Sequence, residues 1–480
     1  MKKGDVIESD IVDYAFEGKG VGKIKSEQKN QITEEEKKFV VFIDNAYPGD
    51  RVLATITKIK KNYAEAKLKQ LLIKSPFRID PKCKYFGTCG GCKSQDLDYS
   101  QQIIYKELQV KNIFERIGGL ENVEVLPIIK SEKHFFYRNK MEYSFSDKRW
   151  LEHVELFQPK SESENNFALG MHVPGIFDKV LDIDECWLQS KSSNRVLNFT
   201  RTFFKNHQIL AYSAKKHTGF LRNLVIKQSF LKNEFLVNLV VSDENERLFT
   251  EFTKAVQSDI PEITTLVFNI NKKLSQVALG DYEVAGFGPG TIRDFIGKYE
   301  FQISANSFFQ INSPQAEKLF SIAADFAGFV GDEIVYDLYS GAGVIPIFIS
   351  DMVKKIYGFE NSNVAIEDAK INSEINGVNN FMPILADLNK SILPIVEKTF
   401  LEKPDVIIAD QPRSGMHPKT VHDILILRPK KIIYISCNPS TQARDVKMFC
   451  ASLYKLIKLQ PVDMFPHTFH IENIALLHLK

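Results

Sequence analysis

The chain has 480 residues, 44% of them hydrophobic, which is enough for two or three packed domains and too apolar for a globally disordered chain. Its 62 Lys and Arg nearly cancel its 60 Asp and Glu, leaving a net charge of +2, so a nucleic-acid partner would need a local basic surface. The start, Met1-Lys2-Lys3-Gly4-Asp5, lacks the apolar segment of a secretory signal, and no run approaches the roughly 18 apolar residues of a membrane span; the expectation is a cytoplasmic protein, monomeric by default, with no membrane partner.

Residues 1–72 read as a small oligonucleotide-binding-type β-barrel. Short alternating apolar runs occur at 10–16, 39–44, 51–58 and 63–68, separated by turn signals at Gly18-Lys19-Gly20 and Pro48-Gly49-Asp50. A basic stretch leaves this region: Lys58, Lys60, Lys61, Lys67, Lys69, Lys74, Arg78, Lys82 and Lys84. It is a candidate RNA surface or an ordinary solvated face.

Residues 73–299 read as a mixed α+β central domain. It opens on Cys83-x5-Cys89-x2-Cys92 in a Gly-rich loop, with Cys186 far downstream. A helix is expected at 99–117, strands at 223–227 and 235–241, and a surface loop at 161–166. In a reducing compartment such thiols bind metal or do chemistry rather than form disulfides. Four thiolates suit either a 4Fe-4S cluster or a structural zinc, and spacing alone leaves both open. The Cys-x3-Cys-x2-Cys of a radical S-adenosylmethionine enzyme is absent.

Residues 300–480 alternate strands (334–338, 355–359, 381–385, 406–409, 431–435) with helices (364–375, 421–427, 441–449), the pattern of a Rossmann-like, doubly wound α/β domain. Ligands of such sheets sit at the carboxyl ends of the strands. There the sequence places Asp337-Leu338-Tyr339-Ser340-Gly341-Ala342-Gly343, then Glu360, Asp387 and Asp410, one acid after each of four successive strands. Glu360 stands where a carboxylate can accept from a ribose diol, and Asp387 where a polar group can meet an adenine edge. The third glycine of a pyrophosphate cradle is missing, Pro346 standing in its place, which favours S-adenosylmethionine over NAD.

Ile435-Ser436-Cys437-Asn438-Pro439 ends the fifth strand. Asn438 suits a helix cap and Pro439 the first helical position, so Cys437 lies just ahead of a helix N-terminus, where a thiolate is favoured. Further on, His467-Thr468-Phe469-His470-Ile471-Glu472 sets an acid just before a closing apolar strand, 474–479. One cysteine, one base and one methyl donor point to a specific reaction. Thiolate addition at carbon 6 of uracil makes carbon 5 nucleophilic, a methyl group is transferred there, and a base then removes the carbon 5 proton so that the thiolate can leave. The target must be unpaired or flipped.

These residues closely resemble the RNA 5-methyluridine methyltransferase family. The resemblance runs through nearly the whole chain and is strongest in Ser436-Cys437-Asn438-Pro439 with Ala443-Arg444-Asp445, and in His467-Thr468-x-His470-x-Glu472 placed 35 residues after the cysteine. It implies Cys437 as nucleophile and Glu472 as proton-abstracting base. It implies Gln310, in Ser307-Phe308-Phe309-Gln310-Ile311-Asn312, as a contact to S-adenosylmethionine, and Tyr339, Glu360, Asp387 and Asp410 as cofactor or active-site residues. Tyr137-Arg138-Asn139-Lys140-Met141-Glu142 resembles a family segment of the middle domain, and residues 1–72 its RNA-binding TRAM barrel. In some members, cysteines spaced like Cys83, Cys89, Cys92 and Cys186 carry a 4Fe-4S cluster, which the resemblance favours over zinc. Members with barrel and cluster mostly act on ribosomal RNA, so 23S rRNA is the expected partner and tRNA the alternative. Two departures touch the cleft: Gln411 replaces the first proline of the usual Asp-Pro-Pro-Arg, and Pro346 replaces a glycine. A non-catalytic RNA-binding factor would leave Cys437, Glu472, Gln310 and Asp410 unexplained, and a redox protein would leave the domain after residue 300 unexplained.

Overall fold

The computed structural model describes residues 1–25, 38–151, 166–275 and 277–480; residues 161–165 of the expected surface loop lie outside them. Near the N-terminus, strands β1 (Val6–Ala15), β2 (Lys19–Lys25), β3 (Lys38–Asp44), β4 (Arg51–Ile59) and β5 (Tyr63–Ile73) close into a barrel in the order β1-β2-β3-β5-β4. Alternate residues point inward, giving a core that includes Ile11, Val41, Ile43, Val52 and Ile56. Strand β2 begins on the residues that read as a turn. Its glycines serve packing instead: a Cβ on Gly20 would stand 2.5 Å from the Ala46 carbonyl oxygen, and one on Gly22 would stand 2.3 Å from Ser9 Oγ.

The basic stretch divides. Its eight lysines are exposed. Arg78, by contrast, is a half-buried clamp: its guanidinium pairs with Asp50 at 2.8 Å, with Asp96, and with the Asn45 carbonyl, fixing the barrel to the segment that follows. Arg78 is therefore no part of a free basic surface.

Helix α1 (Tyr99–Arg116) begins on an Asp98 cap, and a two-residue strand, β6 (Glu124–Val125), follows. The central sheet holds β7 (Lys140–Ser146), β8 (Ala168–His172), β9 (Val180–Asp182), β10 (Leu221–Gln228), β11 (Phe235–Val241), β12 (Thr265–Ile270) and β13 (Tyr282–Phe287), in the order β13-β12-β11-β10-β7-β8-β9. Strands β10, β11 and β12 are buried throughout, and α2 (Lys191–Asn206) and α3 (Glu246–Asp259) pack in the same core. A hairpin, β14 (Thr291–Ile296) and β15 (Tyr299–Ser304), runs across the expected junction at 299/300.

The C-terminal sheet contains β16 (Ile334–Leu338), β17 (Lys355–Glu360), β18 (Phe381–Leu385), β19 (Val406–Gln411), β20 (Lys431–Ser436), β21 (Tyr454–Val462) and β22 (Glu472–Leu479). Its order is β18-β17-β16-β19-β20-β22-β21-β6, parallel apart from β22, so the two-residue β6 caps the β21 edge. Successive residues face opposite sides: Ile433, Ile435, Ile474 and Leu476 pack in one core, Ile432, Tyr434, Ala475 and Leu477 in the other. Helix α4 (Ser313–Ala327) lies in the first core. The second takes α1 through Val110, Ile113 and Phe114, together with later helices. The strand order reverses at β16, with β17 on one side and β19 on the other, which puts the crevice of a doubly wound sheet at the carboxyl ends of these strands. Among the described residues, no helix is long and apolar enough to cross a membrane.

Replacing Arg78 with Ala leaves the buried Asp50 carboxylate without its guanidinium. A loss of about 3–5 kcal/mol is expected, read as a lower denaturant midpoint with earlier proteolysis between the barrel and α1.

Candidate active site

A cavity of about 970 Å³ opens at this crevice, at the upper end of the roughly 300–1,000 Å³ usual for ligand pockets. Gln310, Tyr339, Glu360, Asp410, Cys437 and Glu472 all line it. Asp387 does not. It accepts from Asn389 of its own turn and pairs with Lys390 at 3.3 Å, while the adjacent Leu388 lines the cavity.

The glycine loop is bent by left-handed residues: Tyr339 at φ 68°, Gly341 at 53° and Gly343 at 79°. Gly343 cannot carry a Cβ, which would stand 2.8 Å from the Phe381 ring. Glu360 braces the loop from β17, accepting from Gly341 N at 3.0 Å and from Asn361 N and Ser362 N at 2.8 and 2.9 Å. Pro346 falls at the third position of a five-residue helix, α5 (Val344–Phe348), where a backbone N–H has no intrahelical acceptor, so the departure costs no ladder bond.

Gln310 is placed by the central domain. Asn139, from the Tyr137–Glu142 motif, donates through Nδ2 to the Gln310 carbonyl at 2.8 Å, and its own N–H donates to the Ile311 carbonyl, also at 2.8 Å. Lys227 of β10, which the sequence does not signal, donates to the carbonyls of Ser304 and Ser307 at 2.7 Å each. Burial pulls its ammonium down to about 7.

Cys437 and Glu472 meet through register. Strands β20 and β22 are antiparallel with Ser436 opposite Asn473, so the next pair outward is Cys437 and Glu472. Helix α9 (Pro439–Cys450) latches the two strands: Gln442 Nε2 donates to the carbonyls of Tyr434 and Asn473, and Asn473 Nδ2 returns a bond to Gln442 Oε1 at 2.7 Å. Asn438 caps α9, its Oδ1 accepting from Ser440 N at 3.0 Å. The strap before Glu472 is held from three sides. Lys106 and Tyr99 of α1 donate to Asp463 at 2.7 and 2.8 Å, Gln102 Oε1 accepts from His467 N at 3.0 Å, and Lys93 N, beside Cys92, donates to the His467 carbonyl at 2.8 Å.

Protonation departs from the sequence expectation. Burial, and then the adjacent Glu472, push the Cys437 thiol up to about 11 despite Arg413 beside it. Both causes favour the neutral thiol, against the helix N-terminus, which favours the thiolate. Burial, with Asp410 adding to it and Arg413 opposing, raises Glu472 to about 8; burial raises Asp410 to about 7. Asp337, buried with both carboxylate oxygens unpartnered, is held well above the usual carboxylate range. The sequence reading assigned Arg413 no role; it lines the cavity and its guanidinium also reaches His470 at 3.3 Å.

Cys83, Cys89, Cys92 and Cys186 line one cavity of about 30 Å³. Gly91 N donates to Cys89 Sγ at 3.4 Å and Gln95 Nε2 to Cys92 Sγ at 3.6 Å. Burial raises all four thiols. The sequence led us to expect a formed metal centre; among the described residues, no group of three or more His, Cys, Asp or Glu is spaced to hold a metal ion.

Residues 291–480 match the family model for tRNA (uracil-5-)-methyltransferase, and residues 2–69 match the TRAM domain. An uncharacterized RNA methyltransferase of Bacteroides thetaiotaomicron is 40% identical over 97% of this chain and 100% of its own length. Another, of Chlorobaculum tepidum, is 39% identical over 99% and 96%. Among solved structures, a Pyrococcus abyssi tRNA (uracil-54, C5)-methyltransferase in complex with S-adenosyl-L-homocysteine matches with a TM-score of 0.73 and 27% identity, over 98% of this chain and 100% of that one.

A carboxylate whose folded pKa is raised contributes stability below its unfolded value and loses it as pH climbs through the folded one. For Glu472 that window runs from 4.5 to about 8. Glu472→Gln should therefore raise the melting temperature by several degrees at pH 9 and leave it almost unchanged at pH 4, measured by thermal melts across that range.

Proposed function

Since the chain belongs to the RNA uracil-5-methyltransferase family and is an S-adenosylmethionine-dependent enzyme, we propose that it works through a covalent bond between Cys437 and the target uridine. The observation that carries this reading is the β20–β22 register, which sets Cys437 and Glu472 side by side on one cavity. The Cys437 thiol first gives its proton to solvent, and the thiolate then attacks, with the Arg413 guanidinium favouring the anion. The sulfur bonds to carbon 6 of uracil, and the electrons pass through carbon 5 to the carbonyl oxygen at carbon 4. Bound S-adenosylmethionine supplies the methyl group on a sulfonium. Glu472 then takes the carbon 5 proton and the sulfur leaves carbon 6. Gln310, Tyr339, Glu360 and Asp410 serve the donor or the base from the same cavity, and Asp387 serves through the turn that presents Leu388.

The exposed lysines leaving the barrel are the RNA surface in this reading, and the enzyme acts in the cytoplasm. Ribosomal RNA, 23S, is the first substrate reading. Transfer RNA is the second, favoured by the full-length likeness to a tRNA methyltransferase. We place a 4Fe-4S cluster, with zinc as the alternative, at the four cysteines. Their shared cavity and the hydrogen bonds that two of the sulfurs accept from amide N–H groups support it.

Cys437→Ala should abolish methyl transfer to RNA while RNA binding persists, and Glu472→Gln should accumulate a covalent protein–RNA adduct visible on a denaturing gel; full activity in Cys437→Ala would end the proposal. Mapping 5-methyluridine in ribosomal and transfer RNA of a deletion strain identifies the substrate. Anaerobic purification should yield a brown protein with about four irons per chain; a colourless protein with one zinc would select the alternative.

A further inference from the structure

The bond network behind the nucleophile involves a residue that no catalytic step uses. Gln411 ends β19 and is 3% exposed; Ser436 lies opposite it at the end of β20 and is fully buried. Gln411 Nε2 donates to Ser436 Oγ at 2.6 Å. The same hydroxyl accepts from Asn438 N at 3.1 Å and donates to the Asn438 carbonyl at 3.2 Å. Cys437 is the residue enclosed between Ser436 and Asn438.

We propose that Gln411 is a positioning residue for the nucleophile, holding the Ser436 hydroxyl so that the turn 436–438 presents Cys437 to the cavity. This rests on Cys437 being the nucleophile. A serine hydroxyl has one proton and two acceptor sites, and here all three are used. Removing Gln411's donor leaves one acceptor site empty in a place that excludes water, where no other group replaces it. The side-chain bonds that then remain run to the segment just past β19, where Asn438 Nδ2 and Thr441 Oγ1 donate to the Arg413 carbonyl at 3.1 and 3.3 Å. Gln411 Oε1 is buried without a partner, so the carboxamide keeps its place at the cost of an unmet acceptor. A side chain present only to fill space would carry no such cost.

The test is a double-mutant cycle in the full chain, using Gln411→Met, Ser436→Ala and the pair, with RNA from a strain lacking the enzyme as substrate. Each single variant should lower kcat about tenfold, the effect of one lost hydrogen bond of ordinary net strength, with KM for S-adenosylmethionine unchanged. The double variant should be no worse than either single one. Gln411→Glu, whose buried carboxyl stays neutral and still donates, should recover most of the rate. A second readout needs no turnover: the pH profile of iodoacetamide alkylation at residue 437 should shift in Gln411→Met. Additive losses, a rise in KM alone, or an unmoved alkylation profile would overturn the proposal. Should Gln411→Met fail to fold, Gln411→Pro takes its place in the cycle with the same expectations. A wild-type enzyme that keeps its rate after alkylation of residue 437 would instead overturn the nucleophile assignment on which the proposal rests.

Discussion

The site depends on the one strand that runs against its sheet. Because β22 returns antiparallel beside β20, its first residue arrives at the same edge as the last residues of β20. A sulfur on one strand and a carboxylate on the next are thereby made neighbours, although 35 residues separate them. A one-residue slip would turn every side chain of β22 to the opposite core; residues 474–477 are apolar on both faces, so the polar Gln442–Asn473 latch marks the register while the side chains on each face fill the two cores. Core packing and catalytic geometry are thus two consequences of a single pairing.

That edge also gathers acids. Asp337, Asp410 and Glu472 are withdrawn from water close to one another, while Glu360 is satisfied by three backbone amides. Burial, with neighbouring acids adding to it at Asp337 and Glu472, makes Asp337, Asp410 and Glu472 hold their protons more tightly than an ordinary carboxyl does. A group that is to move a proton during a reaction is best held near the ambient pH, and two of these lie there. Withdrawing carboxyls from water costs stability, which the bonds on the strap from α1 and the cysteine loop offset.

How much of this was legible follows from how local each signal is. The turn at Cys437 reads from sequence because a strand, an Asn cap and a proline at the first helical position are adjacent residues with short-range preferences. The glycine loop reads for the same reason. Strand β2 does not, because Gly20 and Gly22 answer to Ala46 and Ser9 rather than to their own backbone. Strand β6 is two residues long and exists only because β21 offers it an edge. Arg78 counted as surface charge because a sequence does not show that Asp50 and Asp96 will enclose it. Lys227 carries no motif at all. The thiol was expected ionised because a helix start is visible in the chain, whereas burial and the carboxylate that oppose it are tertiary.

The pairing of residues 124–125 with β21, and the seat of α1 in one of the two sheet cores, mean that the C-terminal sheet is finished by residues from the first 125 of the chain. Excised alone, residues 300–480 would present a bare strand edge and an uncovered apolar face, the two features that invite chains to stick to one another. The barrel, the cysteine loop and the chemistry are thus inherited as one object. Recombination that swaps this domain between proteins must carry α1 and β6 with it.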